Sequence, residues 1–463
     1  MGSEKPVEYL ASVLSGAPDM TEGKLLEVEE VADGKGVTDA EATFQVVTAC
    51  KAVESLRALL FDTTSSNTGV YKGAAIVLMT KIGRVLLWFE CRHHMTELFI
   101  KPVWSLLFGD DSGPFQSDFS LFKKICPYIE KDKLVILTVN PGLEEELKES
   151  TVDLLTNILI IPNNKSQFPT DNYKEMVELT LRVLGTDVPG GFKIRKCGAN
   201  NKVRFMVDII YGMKMFLLQN LVVDEEKMEE DGVSMEIEFD DEYKAALTRF
   251  VKLAALVYVP YFMKSSIGAD APVNDLELIH LLLKYREIDA ESADAALTVM
   301  RSRHLYYLTE ENVVMSLFSN RIDVDQKSRI ASRILTFPKP QDFKIAKPKQ
   351  PVKVDRATTL ESLVGANSWT LFHVLDTKSD WLHESLSKWP ENPDYIETRD
   401  WVRTAKVVND SCERGVKMIQ DFCNTLTSDT EIRKGLLKAV AASREQYPEF
   451  SKKTLNATLD SGV

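Results

Sequence analysis

The chain has 463 residues, 44% of them hydrophobic and 27% charged, enough for about two to four domains with sizeable cores. A formal net charge of −13 and a pI near 5.2 argue against wholesale electrostatic binding of nucleic acid and leave room only for a local basic groove. No apolar run reaches the roughly 20 residues of a membrane span, and MGSEKPVEYL lacks a charged-then-apolar leader pattern, so neither a membrane partner nor a signal peptide is expected.

Residues 7–13 (VEYLASV) and 24–31 (KLLEVEEV) are short strand-like runs. Thr38 to Glu41 (TDAE) has the spacing of a capping box and opens a predicted helix to about residue 54. Residues 57–61 (RALLF) form a buried-strand pattern ending on Asp62, followed by the polar loop TTSSNTG. A helix over 73–82, a strand over 85–89 and a helix opened by Cys91-Arg92-His93-His94 complete the first segment. Strands alternating with helices predict a mixed or parallel sheet.

Beyond residue 95 the apolar spacing is near 3.6, over 141–160, 171–184, 203–222, 243–263, 274–286 and 290–303. The acidic run 224–242 is expected to be a solvated loop, because like charges repel. Four prolines among the lysines of 338–353 predict an extended linker. A C-terminal helical piece follows, whose Trp369, Trp381, Trp389 and Trp401 are expected to pack. The domain layout is therefore 1–98 (α/β), 99–303 (helical), 304–337 (helices returning to the first segment), 338–353 (linker) and 354–463 (C-terminal helices). The fold class is α+β, predominantly α-helical.

Asp62 is the first candidate for chemistry. A carboxylate at a strand end projects into the crevice where α/β sheets hold ligands, and with other acids it would hold Mg2+ or Mn2+. The bland alternative is turn capping, for which Asp-Thr-Thr-Ser is well suited. Cys91 and His94 have the Cys-x-x-His spacing of half a zinc site, but no second pair stands nearby. The competing reading is structural, with Cys91 packed as a small apolar residue and a histidine tethering sheet to helix. Cys126 and Cys197 stand alone in the sequence, and His280 and His304 read as satisfied core histidines. The six scattered cysteines, at 50, 91, 126, 197, 412 and 423, favour a reducing compartment. Glu310 and Glu311 follow Thr309 at a helix start, where capping is the plain reading. There is no P-loop, dinucleotide fingerprint, HExxH or GxSxG.

The runs FDTTSSNTG (61–69) and GRVLLWFECRHHMTEL (83–98) resemble a family of transposon-derived invertebrate proteins from arthropods and cnidarians. The resemblance continues through 243–262, 271–289, 304–318, 363–375 and 406–422, nearly the whole chain. More distantly, the layout is similar to hAT-type transposases, in which a long helical insertion interrupts an RNase H-like core. That resemblance implies an incomplete RNase H-like α/β core here. Asp62 would be the second catalytic Asp and metal ligand, Asn67 the loop Asn that contacts nucleic acid, and Cys91 to His94 the signature. Arg204-Phe205 would stand for the Arg-Trp pair that opens the insertion, with Phe205 stacking on a displaced base. Glu310 or Glu311 would be the final catalytic Glu; neighbours on a helix point about 100° apart, so one of them faces the core.

The family's first catalytic Asp has no counterpart, since Asp19, Asp33 and Asp39 lie in loops or at a helix start and the first strand of the core is missing. Three readings follow. The chain is a transposase-derived, catalytically inactive protein that binds DNA or protein partners, with nuclear rather than cytoplasmic placement implied by the resemblance. Otherwise it is an active metal-dependent transposase or nuclease, or a helical interaction protein that self-associates and has no relation to DNA.

Overall fold

The computed structural model describes residues 8–16, 20–109, 117–161, 168, 171–197, 206–234, 239–343 and 353–409. Among the described residues helix makes up 61% and strand 7%, so they adopt the α-dominated α+β class.

The two strand-like runs at the start pair as an antiparallel hairpin, β1 (Glu8–Gly16) and β2 (Met20–Val31), with Glu8 opposite Val31 and irregularities after Ser12 and Leu14. Val28 and Val31 are buried, and the hairpin lies on helix α1 (Gly36–Ala49). The expected capping box does not form. Thr38 Oγ1 donates instead to Asp33 Oδ1 (2.7 Å), and α1 starts two residues earlier and stops at Ala49. Gly36 sits against the carbonyls of Ser66 and Lys72, where a Cβ has no room, so the loop after Asp62 closes over the start of α1.

Strand β3 (Ala58–Phe61), helix α2 (Ala74–Ile82) and strand β4 (Leu87–Glu90) form one crossover unit. β3 and β4 are parallel, Ala58 opposite Leu87 and Phe61 opposite Glu90. All four β4 residues are buried, as expected of a parallel strand covered on both faces. Among the described residues the hairpin and the parallel pair are separate two-stranded sheets and do not join into the single sheet that the alternating pattern predicts. Val47, Ala52, Leu56 and Leu86 form a small core with Leu14 and Leu59 at its edge.

Helix α3 (Arg92–Phe108) leads from β4 into the helical body. Its Phe99, Ile100, Val103 and Trp104 make a buried stripe at three- and four-residue spacing. Trp104 meets Phe119 of α4 (Ser117–Ile125) and, edge-on at 4.7 Å, Phe250. Helices α5 (Leu143–Ile160), α6 (Asp171–Val183) and α7 (Val207–Leu217) follow near the expected positions. Part of the acidic run is not a loop: Glu225–Glu230 is a short, solvated helix capped by Asp224, whose carboxylate accepts from Lys227 N, a placement that suits negative charge at a helix N-terminus. Asp240 caps the next helix through Tyr243 N (2.7 Å).

That helix continues from α8 (Asp241–Leu253) through one π-turn (Ala254–Tyr258) into α9 (Val259–Lys264). Val259 N reaches back five residues to Ala254 O, just before Pro260, which has no N–H to donate. Among the described residues this is the one helix long and apolar enough to cross a membrane, with mean hydropathy 1.3, yet 67% of that window is buried inside the fold. Helices α10 (Ala271–Tyr285) and α11 (Ala290–Arg303) complete the body, and α11 packs on α3.

The chain then returns through three short helices between Tyr306 and Phe318, followed by α12 (Val324–Leu335). After the Pro/Lys stretch, Val354 O and Asp355 O accept from Arg301 and His280, fixing the next segment on α10 and α11. The tryptophans pack as expected. Trp381 lies 4.8 Å from Trp389 and 5.0 Å from Tyr395, and Trp369 Nε1 donates to Phe337 O. Helices α13 (Thr370–Leu375) and α14 (Pro393–Thr404) close the described part. The rest of the expected C-terminal helical piece, residues 410–447, lies outside the described residues, as do 344–352 of the linker.

Two buried charges dominate the interior. Arg92, at the first position of α3, donates to Asp275 Oδ1 (2.5 Å), Tyr261 OH (2.8 Å) and Ser265 O (2.6 Å). Both Arg92 and Asp275 are at most 1% exposed. Breaking such a pair from one side strands a charge, at a cost of about 3–5 kcal/mol. Arg92→Met and Asp275→Leu are each expected to lose that much in urea unfolding. The double variant is expected to recover most of the loss, giving a large coupling term in the double-mutant cycle.

Asp208, in the first turn of α7, is buried near Glu97; burial and that like charge raise its carboxyl to about 6 from 3.8, with Lys101 opposing. The folded chain therefore holds this proton more tightly than the unfolded chain does. Stability from this group is complete below pH 3.8 and is lost as pH rises toward 6. Asp208→Asn should match the wild type at low pH and exceed it above pH 6 by on the order of 2–3 kcal/mol, measured by denaturation across pH.

Candidate functional site

The C-terminal ends of β3 and β4 bring together Asp62, Thr63, Glu90 and His304. Asp62 follows β3 directly. Its Oδ1 accepts from Thr64 N (3.2 Å), Thr64 Oγ1 (2.7 Å) and Asn67 Nδ2 (2.7 Å). The turn-capping reading thus describes what this carboxylate does, and Asn67, expected to face nucleic acid, holds the same turn.

One strand over, Glu90 closes β4 and is 1% exposed. Its Oε1 accepts from His304 Nδ1 at 2.6 Å, and Thr63 Oγ1 lies 3.4 Å from the same nitrogen. Burial pushes the Glu90 carboxyl above its ordinary range, against the pull of His304 beside it. The contact holds the imidazole ring against the strand end through its Nδ1. Tyr307 OH donates to Glu90 O (2.6 Å), and Asn312 Nδ2 donates to Trp88 O and Tyr306 O (both 2.9 Å). The returning segment is therefore sewn to β4 by three side chains.

The glutamate pair separates as helix geometry requires. Glu311 is buried, 1% exposed. Glu310 turns the other way: its Oε2 accepts from Asn367 N (2.8 Å), and Gly365 packs against its carboxylate so closely that any Cβ would collide. Glu310 thus caps the helical turn at Ala366–Trp369, away from Asp62. Among the described residues no three His, Cys, Asp or Glu side chains converge to hold a metal ion.

Cys91 is fully buried at the N-cap of α3, with Asn409 N 3.4 Å from its Sγ, as its packing role requires. His94 lies along α3, 3.8 Å from Glu97. Beside it His93 stacks on Phe262 at 4.0 Å, and Arg92 reaches Asp275. Arg204 and Phe205 lie outside the described residues. Sequence reasoning passed over Glu90 and Arg92, although charges ending the otherwise apolar strand VLLWF were the signal: a buried charge must find a partner.

A second concave region is a cleft of about 460 Å3 lined by Asn140, Glu144, Arg249, Lys252, Tyr285 and Asp289, among others. Its cations are already matched, Lys252 to Glu144 and Arg249 to Asp289 (each 2.8 Å). The comparisons add no relative: no protein-family model, curated protein or solved structure matches the chain.

His304→Ala is expected to leave the buried Glu90 carboxyl without its side-chain partner, costing about 1–3 kcal/mol when Glu90 is ionised. Because burial already raises Glu90, the variant should protonate it as pH falls, so the deficit should be larger at pH 8 than at pH 5 in urea unfolding.

Proposed function

We propose that the chain is a transposase-derived protein that binds DNA or a protein partner and does not cut DNA. In this reading β3, β4 and their helices are the remnant of an interrupted RNase H-like core. The observation that carries it is the return of the chain to β4: His304 pairs with Glu90, 214 positions earlier in the sequence, and Tyr307 and Asn312 dock on the same strand. An insertion that leaves a core after one strand and comes back to it makes this pattern.

The engagement of the acids supports the inactive form. Two-metal phosphoryl chemistry needs carboxylates that converge on Mg2+ or Mn2+. Asp62 is tied into its own turn, and Glu310 caps a helical turn elsewhere. With a pI near 5.2, DNA contact would be confined to a local surface and strongly salt-dependent.

The test is fluorescence anisotropy of labelled duplex and single-stranded DNA across salt, alongside strand cleavage with Mg2+ or Mn2+. Binding that weakens with salt, without cleavage, is the expected result. Metal-dependent cleavage lost in Asp62→Ala would overturn the inactive reading. Failure to bind either DNA would move the assignment to a protein partner. Asp62→Ala is expected to cost about 1–2 kcal/mol of stability through the lost turn bonds alone.

A further inference from the structure

The cleft of about 460 Å3 is built where three helix ends meet the flank of α8. Asn140 and Glu144 come from the start of α5, Tyr285 from the end of α10, and Asp289 and Glu291 from the start of α11. Arg249 and Lys252 stand three residues apart on α8 and so share a face. The volume falls within the roughly 300–1,000 Å3 of small-molecule sites.

The carboxylates of this cleft are largely engaged. Asp289 accepts from Arg249 Nη2 and Ser292 N on Oδ1, and from Arg249 Nε and Ser292 Oγ on Oδ2. Glu144 accepts from Asn140 N and Lys252 Nζ on Oε2, and from Asn140 Nδ2 on Oε1. Donors are left over. Lys252 Nζ gives one of its protons to Glu144, and Arg249 gives those of Nε and Nη2 but not of Nη1. Tyr285 is fully buried, and its hydroxyl has no hydrogen-bond partner among the described residues. Native interiors rarely leave a buried hydroxyl unmatched, since phenylalanine fills the same space without the lost bond. Burial, then the carboxylates of Asp289 and Glu144, hold this phenol above its ordinary range against the pull of Arg249, so it stays a protonated donor.

We propose that the cleft binds a free amino acid as its zwitterion, with the carboxylate on Lys252, Arg249 and Tyr285 and the ammonium at Glu291. A carboxylate supplies the acceptors that these three donors lack, and bonds to it are charge-assisted. The charge of the cleft decides against a bare anion. Glu144, Asp289 and Glu291 outnumber Arg249 and Lys252 by one, so a phosphate or dicarboxylate would enter a site already negative, whereas a zwitterion adds no net charge. The Glu291 side chain is 70% exposed and, among the described residues, accepts from Arg249 alone, which leaves lone pairs for an ammonium on the solvent side. The lining residues all lie between 140 and 291, outside β3, β4 and the returning segment, so the site is independent of any contact with DNA.

The full-length protein is titrated with the standard L-amino acids, one at a time, and binding is read by calorimetry and by the shift in thermal unfolding. At least one is expected to bind saturably and to raise the unfolding temperature. Its N-acetyl and carboxamide derivatives, each lacking one charged end, are expected to bind about tenfold more weakly. Tyr285→Phe is expected to be at least as stable as the wild type without ligand and to bind the same amino acid about tenfold more weakly. Should that variant fail to fold, Glu291→Gln at the exposed edge takes its place, with a similar loss expected. The proposal is overturned if no amino acid binds saturably up to millimolar concentration, if either derivative binds as well as the free amino acid, or if the folded variant binds as tightly as the wild type.

Discussion

Two ionisable residues stand two positions apart at the end of the most buried strand among the described residues. Glu90 and Arg92 flank Cys91, and both side chains go inward. Removing a charge from water costs several kcal/mol unless a partner with good geometry meets it. The partners come from far along the chain, Asp275 at 183 residues and His304 at 214. Satisfying both at once fixes α10 against the start of α3 and fixes the returning segment against β4. The last described residues conform as well, since Arg92 N donates to Val407 O.

The strand ends are firmly built as well: the Glu90–His304 pair and the Asp62 turn flank them, and Phe61 packs edge-on against both Trp88 and Tyr306. The hydroxyl-rich loop there is held by its own hydrogen bonds and by the close approach at Gly36.

Local order was legible in the sequence wherever periodicity or alternation carried it. The hairpin, β3, α2, β4 and the long helices stand close to their expected places because apolar spacing reports burial directly. Tertiary choices were hidden. Whether Thr38 would cap its helix or reach back to Asp33 depends on where the β2–α1 turn goes. Glu310 and Glu311 could be told to diverge, but not which one would turn toward Gly365. Asp62 was seen as both a metal ligand and a turn former, and its hydrogen bonds favour the turn. The sheet was the largest misjudgement: alternation of strands and helices says nothing about whether two strand pairs share an edge.

The π-turn at Ala254–Tyr258 holds one residue more than a regular helix needs at that point. On its near side Tyr258 faces Phe99 and Thr96, and on its far side Tyr261 meets Arg92 and Asp275. These two docking partners sit at positions set by α3 and α10, not by the helix itself. The extra residue lets one continuous helix satisfy both and gives Pro260 a place where its missing N–H costs no regular bond. The stretch therefore works as a counted spacer, in which the number of residues matters more than their identity. Substitutions among its small apolar side chains leave the count intact, whereas an insertion or deletion of one residue would force a choice between the two docked faces.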